Sequence, residues 1–428
     1  MRGLVLSAPS SGQGKTVITL GLLRALRDRG VKVVSAKSGP DYIDPAFHAA
    51  ATSAPCVTLD AWAAGPGQLR ARATMQRGEM LVVEGAMGLF DGASRDAGEG
   101  RGATAAVARA LGLPVVLVID AAGMGQSAGA VAAGFANWSP DIRIAGVILN
   151  RVASARHDAM LRDGLSGICP VLGAIPRDEA LSLPSRHLGL VQAGELAALE
   201  ERIAAIAAVI AAHSDLDGII GAAAEVRSAA PPERLAPLGQ RIAVARDEAF
   251  GFAYWHLLED WRAQGAEIFP FSPLADQPPH PDADAIFLPG GYPELHLGKL
   301  ARVREVSKGI TRAVALNAKI YGECGGYMFL GDTIVDETGR GHPMLGLLRL
   351  TTNFQKRQRH LGYREFTGAG ALAGRFAAHE FHYALTDRAA GEPLFQSVTD
   401  GAGNSLPPMG LRDGNVMGSF AHLIERIA

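Results

Sequence analysis

Residues 320–328 read IYGECGGYM, and a histidine follows about a hundred residues later, in GSFAHLIERIA. Cys324 sits in a G-x-C-G-G frame directly after a short apolar run that reads as a strand. Small neighbours let the backbone bend sharply from strand to helix and let a substrate reach the sulfur, while the N–H groups that follow face the reacting carbonyl. A helix start also favours the thiolate, the reactive form. A lone cysteine is otherwise a small buried hydrophobe, a reading the glycine frame argues against here. The chemistry is nucleophilic attack on an acyl carbon, with His422 as the base. His379 and His382 in AAHEFHYA compete for that role and rank below it, because a histidine on a strand is more often structural.

Upstream, DAIFLPGGYPELH is an apolar run ending in Pro-Gly-Gly. Two glycines after a strand can turn a backbone N–H toward a neighbouring site, as an oxyanion hole requires. The start of the chain carries different chemistry. MRGLVLSAPSSGQGKTVITLGLLRALRDRG is an apolar strand, a small polar loop and an amphipathic helix. Backbone N–H groups at Gly12, Gln13 and Gly14, with the helix dipole, can cradle phosphates. Lys15 then neutralises the β- and γ-phosphates and Thr16 ligates Mg²⁺, so ATP with Mg²⁺ is expected. The loop departs from the usual P-loop at Pro9, which takes the place of its first glycine. Ser10 stands where partition-type ATPases carry an extra lysine.

Other strand ends add charge. MLVVEGAMGLFDG ends its strand in Glu84, where a metal-coordinating carboxylate is expected, and Asp91 in the following loop is assigned to the substrate. SAKSGPDYIDPAFH gathers a lysine, two aspartates and a tyrosine around a Gly-Pro turn. Lys37 is expected on the transferring phosphoryl group. Asp41 and Asp44 hold Mg²⁺ or position the substrate, with Asp41 assigned to the metal and Asp44 to the substrate. Tyr42 offers the substrate a stacking face or a phenol, and Asn150 closes the strand IAGVILNRV, where an Asn also serves as a cap or turn.

These residues need elements to hold them. LVLSAP, VKVVSA, MLVVEG, PVVLVID and IAGVILN are continuous apolar runs, which read as parallel strands buried on both faces, alternating with Ala-rich helices. ELAALEERIAAIAAVIAAHSDLDGIIGAAA reads as one long helical stretch closing this unit, SAAPPERLAPLGQ as a linker, and a second strand–helix series starts at Arg241. The fold class is therefore α/β in two domains, each a mostly parallel sheet flanked by helices: 1–228, a linker at 229–240, and 241–428. A formal net charge of −2 gives no reason to expect nucleic-acid or membrane binding. Three cysteines without metal-ligand spacing suit a reducing cytoplasm, and the start runs straight into a strand, leaving no room for a signal peptide. KRQRH at 356–360 is a local basic run, usually a solvated face and here also suited to a polyanionic substrate. The oligomeric state is not written in these motifs, and a homodimer stays open.

The order of strand, PGGYPE loop, GECGG elbow and late histidine resembles the triad-type glutamine amidotransferases, in the branch found with cobyrinate and cobyric acid synthases. That resemblance implies Cys324 as the nucleophile that takes ammonia from glutamine through a thioester, His422 as its base, and N–H groups near Gly291 and Gly325 as the oxyanion hole. Many such enzymes carry a Glu two residues after the histidine. Here the place is held by Ile424, and the corrinoid branch characteristically lacks that acid, which leaves open what orients His422. The P-loop spacing resembles dethiobiotin synthetase, which activates a carboxylate with ATP; that likeness places Asn150 near adenine. With GPDYID, EGAMGLFDG and IPRDEALSLPSRHLGLV, the whole chain resembles the cobyrinic and hydrogenobyrinic acid a,c-diamide synthases. The resemblance implies ATP- and glutamine-dependent amidation of the a and c acetates of a corrinoid through acyl phosphates, with ammonia passing between domains. The cobalt-free substrate is favoured on a composition that hints at a GC-rich genome. Cobyric acid synthase or another macrocycle amide synthase is the alternative within the family, and a P-loop switch or partition ATPase is the alternative outside it.

Overall fold

The computed structural model describes residues 1–94, 101–186, 189–228 and 230–427. His187 and Leu188 of the IPRDEALSLPSRHLGLV motif and Ala229 of the linker lie outside them. The chain divides into two compact units, Met1–Pro232 and Glu233–Ala428.

In the first unit, strands and helices alternate: β1 Arg2–Ser7, α1 Lys15–Asp28, β2 Val33–Ser38, α2 Asp44–Thr52, β3 Cys56–Leu59, α3 Pro66–Ala73, β4 Met80–Glu84, α4 Thr104–Leu111, β5 Val115–Asp120, α5 Ser127–Trp138, β6 Ile144–Val152, α6 Ala155–Leu165 and β7 Val171–Pro176. The seven strands form a parallel sheet in the order β3-β2-β4-β1-β5-β6-β7. The apolar runs are buried on both faces, as Leu4, Val5, Leu6, Leu81, Val82, Val83 and Val116 through Ile119 show. This order puts the carboxyl ends of β2, β4, β1 and β5 side by side, where ligands gather on open α/β sheets. Lys37 and Glu84 are register partners at the ends of β2 and β4.

The long helical stretch expected after residue 195 is two helices, α7 Leu199–Ala212 and α8 Leu216–Ala222. Ser214 bridges to Gly173 on β7, and the Asp215 side chain accepts from Gly218 N to start α8. A bond to a remote strand and a local cap outweigh helical propensity there. The chain then adds β8, Ala224–Glu225, antiparallel to β1.

The second unit opens with β9 Arg241–Ala245, α9 Trp255–Ala263, β10 Glu267–Phe271, β11 Ala285–Leu288, α10 Glu305–Ala315, β12 Lys319–Glu323 and α11 Gly325–Leu330. Its main sheet runs β10-β9-β11-β12, then β16 Val416–Ser419 and β15 Leu411–Asp413. All neighbours are parallel except β15 with β16. A mixed sheet and an antiparallel sheet fill much of the rest. In one of them β13 His360–Gly368 and β17 Ala421–Ile427 flank β14 Gly374–His382. Its strands are not continuous apolar runs, β13 being largely half-buried, which is why the expected simple strand–helix series does not describe them. Pairing of β14 with β17 sets His379 opposite His422. Among the described residues, no helix is long and apolar enough to cross a membrane.

Candidate active sites

The loop between β1 and α1 folds around two left-handed glycines, Gly12 at φ 81° and Gly14 at φ 88°. Gly14 leaves no space for a side chain, since a Cβ there would stand 2.3 Å from Asn150 Nδ2. Asn150 donates from Nδ2 to Gln13 O at 2.9 Å and accepts Arg151 N on Oδ1, so in this structure it braces the loop. The Gln13 side chain accepts Asp120 N and donates to Ser10 Oγ. Lys15 folds back over the loop to the carbonyls of Ser10 and Met87. Burial outweighs the pull of Glu84 and lowers the Lys15 pKa to about 8.

Behind the loop lies a buried ionic cluster. Glu84, with no exposure, accepts Thr16 Oγ1–H at 2.7 Å and Lys37 Nζ at 2.8 Å on Oε1, with His48 Nε2 at 2.6 Å from Oε2. Lys37 also donates to Asp44 Oδ2 at 2.6 Å, and Thr16 Oγ1 reaches the same oxygen at 3.3 Å. An isolated buried carboxylate would take up a proton. Here burial is overridden by Lys37 and then His48, which hold Glu84 well below the usual carboxylate range. Asp44 moves the other way, to about 6, because burial and the neighbouring Asp41 outweigh Lys37. Burial opposes charge on His48, but Cys56 and Glu84 outweigh it and lift its pKa to about 10.

The carboxylate beside Thr16 and Glu84 is that of Asp44. Asp41, assigned to the metal from sequence, spends Oδ1 on the backbone N–H groups of Ile43 and Asp44, which shapes the turn into α2. The aspartate oxygen beside Thr16 is therefore that of Asp44, assigned to the substrate from sequence, and not that of Asp41. Lys37 lies between Asp44 and Glu84. Asp91 accepts Gly88 N and so closes its own loop, and Tyr42 is half-buried in the turn before α2. A hydroxyl and two carboxylates converging on one point are the hard oxygen donors Mg²⁺ takes, so the residues fit that ion.

In the second unit Cys324 follows β12 and caps α11 with φ 46° and ψ −106°, outside the regions an L-residue ordinarily occupies. Such strain costs of order 1–3 kcal/mol and persists only where surrounding structure over-determines it. Here Cys324 N is fixed to Ser419 O on β16 at 2.8 Å, while its carbonyl already accepts Met328 N in the helix. The thiol reaches toward the Phe381 carbonyl, 3.9 Å from Sγ. A Cβ on Gly290 would stand 2.2 Å from His422 Cε1, 2.8 Å from His422 Nε2 and 3.1 Å from Cys324 Cβ. Base and nucleophile therefore both lie against Gly290, a glycine the sequence reading passed over in favour of Gly291. A Cβ on Gly325 would lie 3.1 Å from Gly291 N, which puts the Gly291 and Gly325 backbones in one corner.

Burial works against the thiolate that the helix start favours. Burial, reinforced by Glu294, pushes the Cys324 thiol well above its ordinary range, and the Gly325 N–H only partly offsets this. Burial and then His379 pull His422 down to about 3, while the Phe252 carbonyl works the other way. A neutral imidazole beside a neutral thiol is what a base-assisted attack starts from. Residues 355–359 are exposed, and Arg357 there pairs with Glu337. His360, Glu380 and His382 lie together as a candidate cation cluster. The two imidazoles are stacked at an interplanar angle of 11° and Arg364 already pairs with Glu380, so the in-plane lone pairs do not converge on an ion.

Gly290→Ala is expected to lower glutaminase turnover by about 100-fold, because the methyl group must displace His422 by roughly 1 Å. Steady-state glutamate release measures it, and near-normal turnover contradicts this placement.

A P-loop unit with a carboxylate cluster, on one chain with a cysteine–histidine elbow unit, defines a glutamine-dependent ligase. Residues 4–191 match the model of the CobQ/CobB/MinD/ParA nucleotide binding domain, and residues 241–426 match the CobB/CobQ-like glutamine amidotransferase domain. Relatives are similar over their whole length: hydrogenobyrinate a,c-diamide synthases of Rhizobium meliloti (51% identical, 99% of each chain), Brucella suis (52%, 99% of each) and Rhodobacter capsulatus (50%, 99% of this chain and 98% of the relative). The chain belongs to the hydrogenobyrinate a,c-diamide synthase family.

Proposed function

We propose that this enzyme uses ATP and glutamine to convert the a and c acetate carboxylates of hydrogenobyrinic acid into amides. The observation that carries this reading is the presence of two chemically different side-chain clusters on a chain half-identical to synthases named for that substrate. A carboxylate is a poor electrophile because oxide is a poor leaving group. Transfer of the γ-phosphoryl group onto it gives an acyl phosphate, whose phosphate then leaves when ammonia attacks.

Each residue has a task in that sequence. Gly12 to Gly14 present N–H groups to the phosphates and Lys15 leaves its carbonyl partners to neutralise them. Thr16, Asp44 and Glu84 would hold Mg²⁺, which would supply charge neutralisation to the phosphates. Lys37 shifts toward the transferring phosphoryl group, and Tyr42, Asp41 and Asp91 border the substrate side of the loops. In the second unit the Cys324 thiol gives its proton to His422 as sulfur bonds the glutamine amide carbon, with the Gly291 and Gly325 N–H groups on the oxyanion. The C–N bond then breaks, His422 returns the proton to the leaving nitrogen, and water hydrolyses the thioester to glutamate. We place the enzyme in the cytoplasm, where thiols stay reduced.

Competition between hydrogenobyrinic acid and its cobalt-bearing counterpart, read by mass spectrometry of the products, tests the substrate. A higher kcat/KM for the cobalt-free acid is expected. Preference for the cobalt form, or amidation of other side chains, overturns this reading.

A further inference from the structure

His422 has an unassigned partner. Its place two residues downstream, where many related enzymes carry an acid, is held by Ile424, which is 1% exposed and lends its carbonyl to His256. The nearest carboxylate comes instead from the residue just before the nucleophile. Glu323, 1% exposed at the end of β12, has Oε2 3.7 Å from His422 Nδ1. Its other oxygen accepts Tyr321 O–H at 3.1 Å and, at 3.0 Å, the backbone N–H of Leu423, the residue after His422. One carboxylate thus straps down the strand carrying the base and faces the ring nitrogen remote from Gly290, since the glycine approaches Cε1 and Nε2.

We propose that Glu323 is the positioning acid of the glutaminase, holding the Nδ1 proton of His422 and stabilising the imidazolium formed when Cys324 is deprotonated. The proposal rests on the cysteine–histidine reading of the site. A nucleophile and an acid that are neighbours in sequence can serve one histidine because Gly290 lies against Cys324 Cβ and His422 Nε2, while Glu323 Oε2 lies toward Nδ1. The separation of 3.7 Å is longer than a hydrogen bond. Catalytic hydrogen bonds in unliganded enzymes are often long and tighten with substrate. Charge on His422 draws the two together, since opposite charges attract more strongly where water is excluded. The other groups facing His422 are the imidazoles of His379 and His382, the Glu380 carboxylate and the Phe252 carbonyl. Glu380 is committed to Arg364 and His382. Burial raises the Glu323 pKa to about 8, with Leu423 N–H and Tyr321 O–H opposing, so Glu323 takes up this role as a carboxylate above that pH, and kcat is compared at pH 9.

Glu323→Gln tests this with little change of shape. The amide oxygen can still accept from Tyr321 and Leu423, but its NH₂ now faces Nδ1 and favours the tautomer in which Nε2 cannot take a proton. Glutaminase kcat is expected to fall about 100- to 10,000-fold, the scale of a wrong tautomer, with KM for glutamine changing less than about threefold. Amidation from added ammonium serves as the folding control, and Glu323→Asp is expected to recover part of kcat. A Glu323→Gln enzyme with near-normal kcat, or one that loses kcat and KM together with no recovery in Glu323→Asp, overturns the proposal. Cys324→Ser run alongside separates the two readings: if it too keeps glutaminase activity, the site itself is wrong, whereas an inactive Cys324→Ser beside an active Glu323→Gln removes Glu323 alone. Should Glu323→Gln not fold, nitrogen-15 NMR of wild-type His422 at pH 9 decides. A protonated Nδ1 and bare Nε2 support the assignment, and the opposite tautomer contradicts it.

Discussion

Cys324→Ser abolishes amidation from glutamine, by about 10,000-fold or more, and leaves amidation from added ammonium intact. The size follows from the role: without the sulfur no thioester forms, and the losses measured for such nucleophiles are of that order. The sparing of the ammonium reaction follows from the division of the chain. Cys324 belongs to the unit beginning at Glu233, and the carboxylate cluster and phosphate loop belong to the unit ending at Pro232. Product formation with each nitrogen source, measured on the folded variant, checks both halves. Loss of the ammonium reaction as well would assign Cys324 to the synthetase chemistry.

Lys15→Ala gives the complementary pattern, removing ATP-dependent amidation with either nitrogen source. Its ammonium is buried at the start of α1 among Ser10, Met87, Glu84 and Lys37, at the loop whose N–H groups meet the phosphates. Loss of one preorganised charge on a transferring group costs about 100- to 1,000-fold. Glutaminase turnover in the same variant is the control. Retained synthesis with ammonium would remove this loop as the nucleotide site.

The P-loop and the elbow were legible because their function is local. A turn that must bend within a few residues needs glycines in sequence, and a parallel strand buried on both faces needs a continuous apolar run. What sequence could not supply was direction. Asp41 and Asp44 are three residues apart in one turn, and only the fold shows that the first caps backbone N–H groups while the second points at Thr16 and Lys37. Gly290 and Gly291 are adjacent, yet only Gly290 lies against His422 and Cys324. Glu323 escaped notice because the acid was sought after the histidine, whereas strand pairing brings it from the other side of the nucleophile. A signal was present, since a carboxylate at the end of an apolar strand is the same pattern that picked out Glu84. The break between α7 and α8 depends on a bridge to a strand some forty residues earlier, which no local pattern records.

The central claim is that nitrogen from glutamine ends on two activated carboxylates of one corrinoid. Incubation with hydrogenobyrinic acid, ATP, Mg²⁺ and glutamine labelled with nitrogen-15 in its side-chain amide tests it directly. Mass spectrometry should show a diamide with nitrogen-15 in both new amides, and ADP formed in step with them. An unlabelled product, a single amide at completion, or amidation without ATP cleavage would contradict the account.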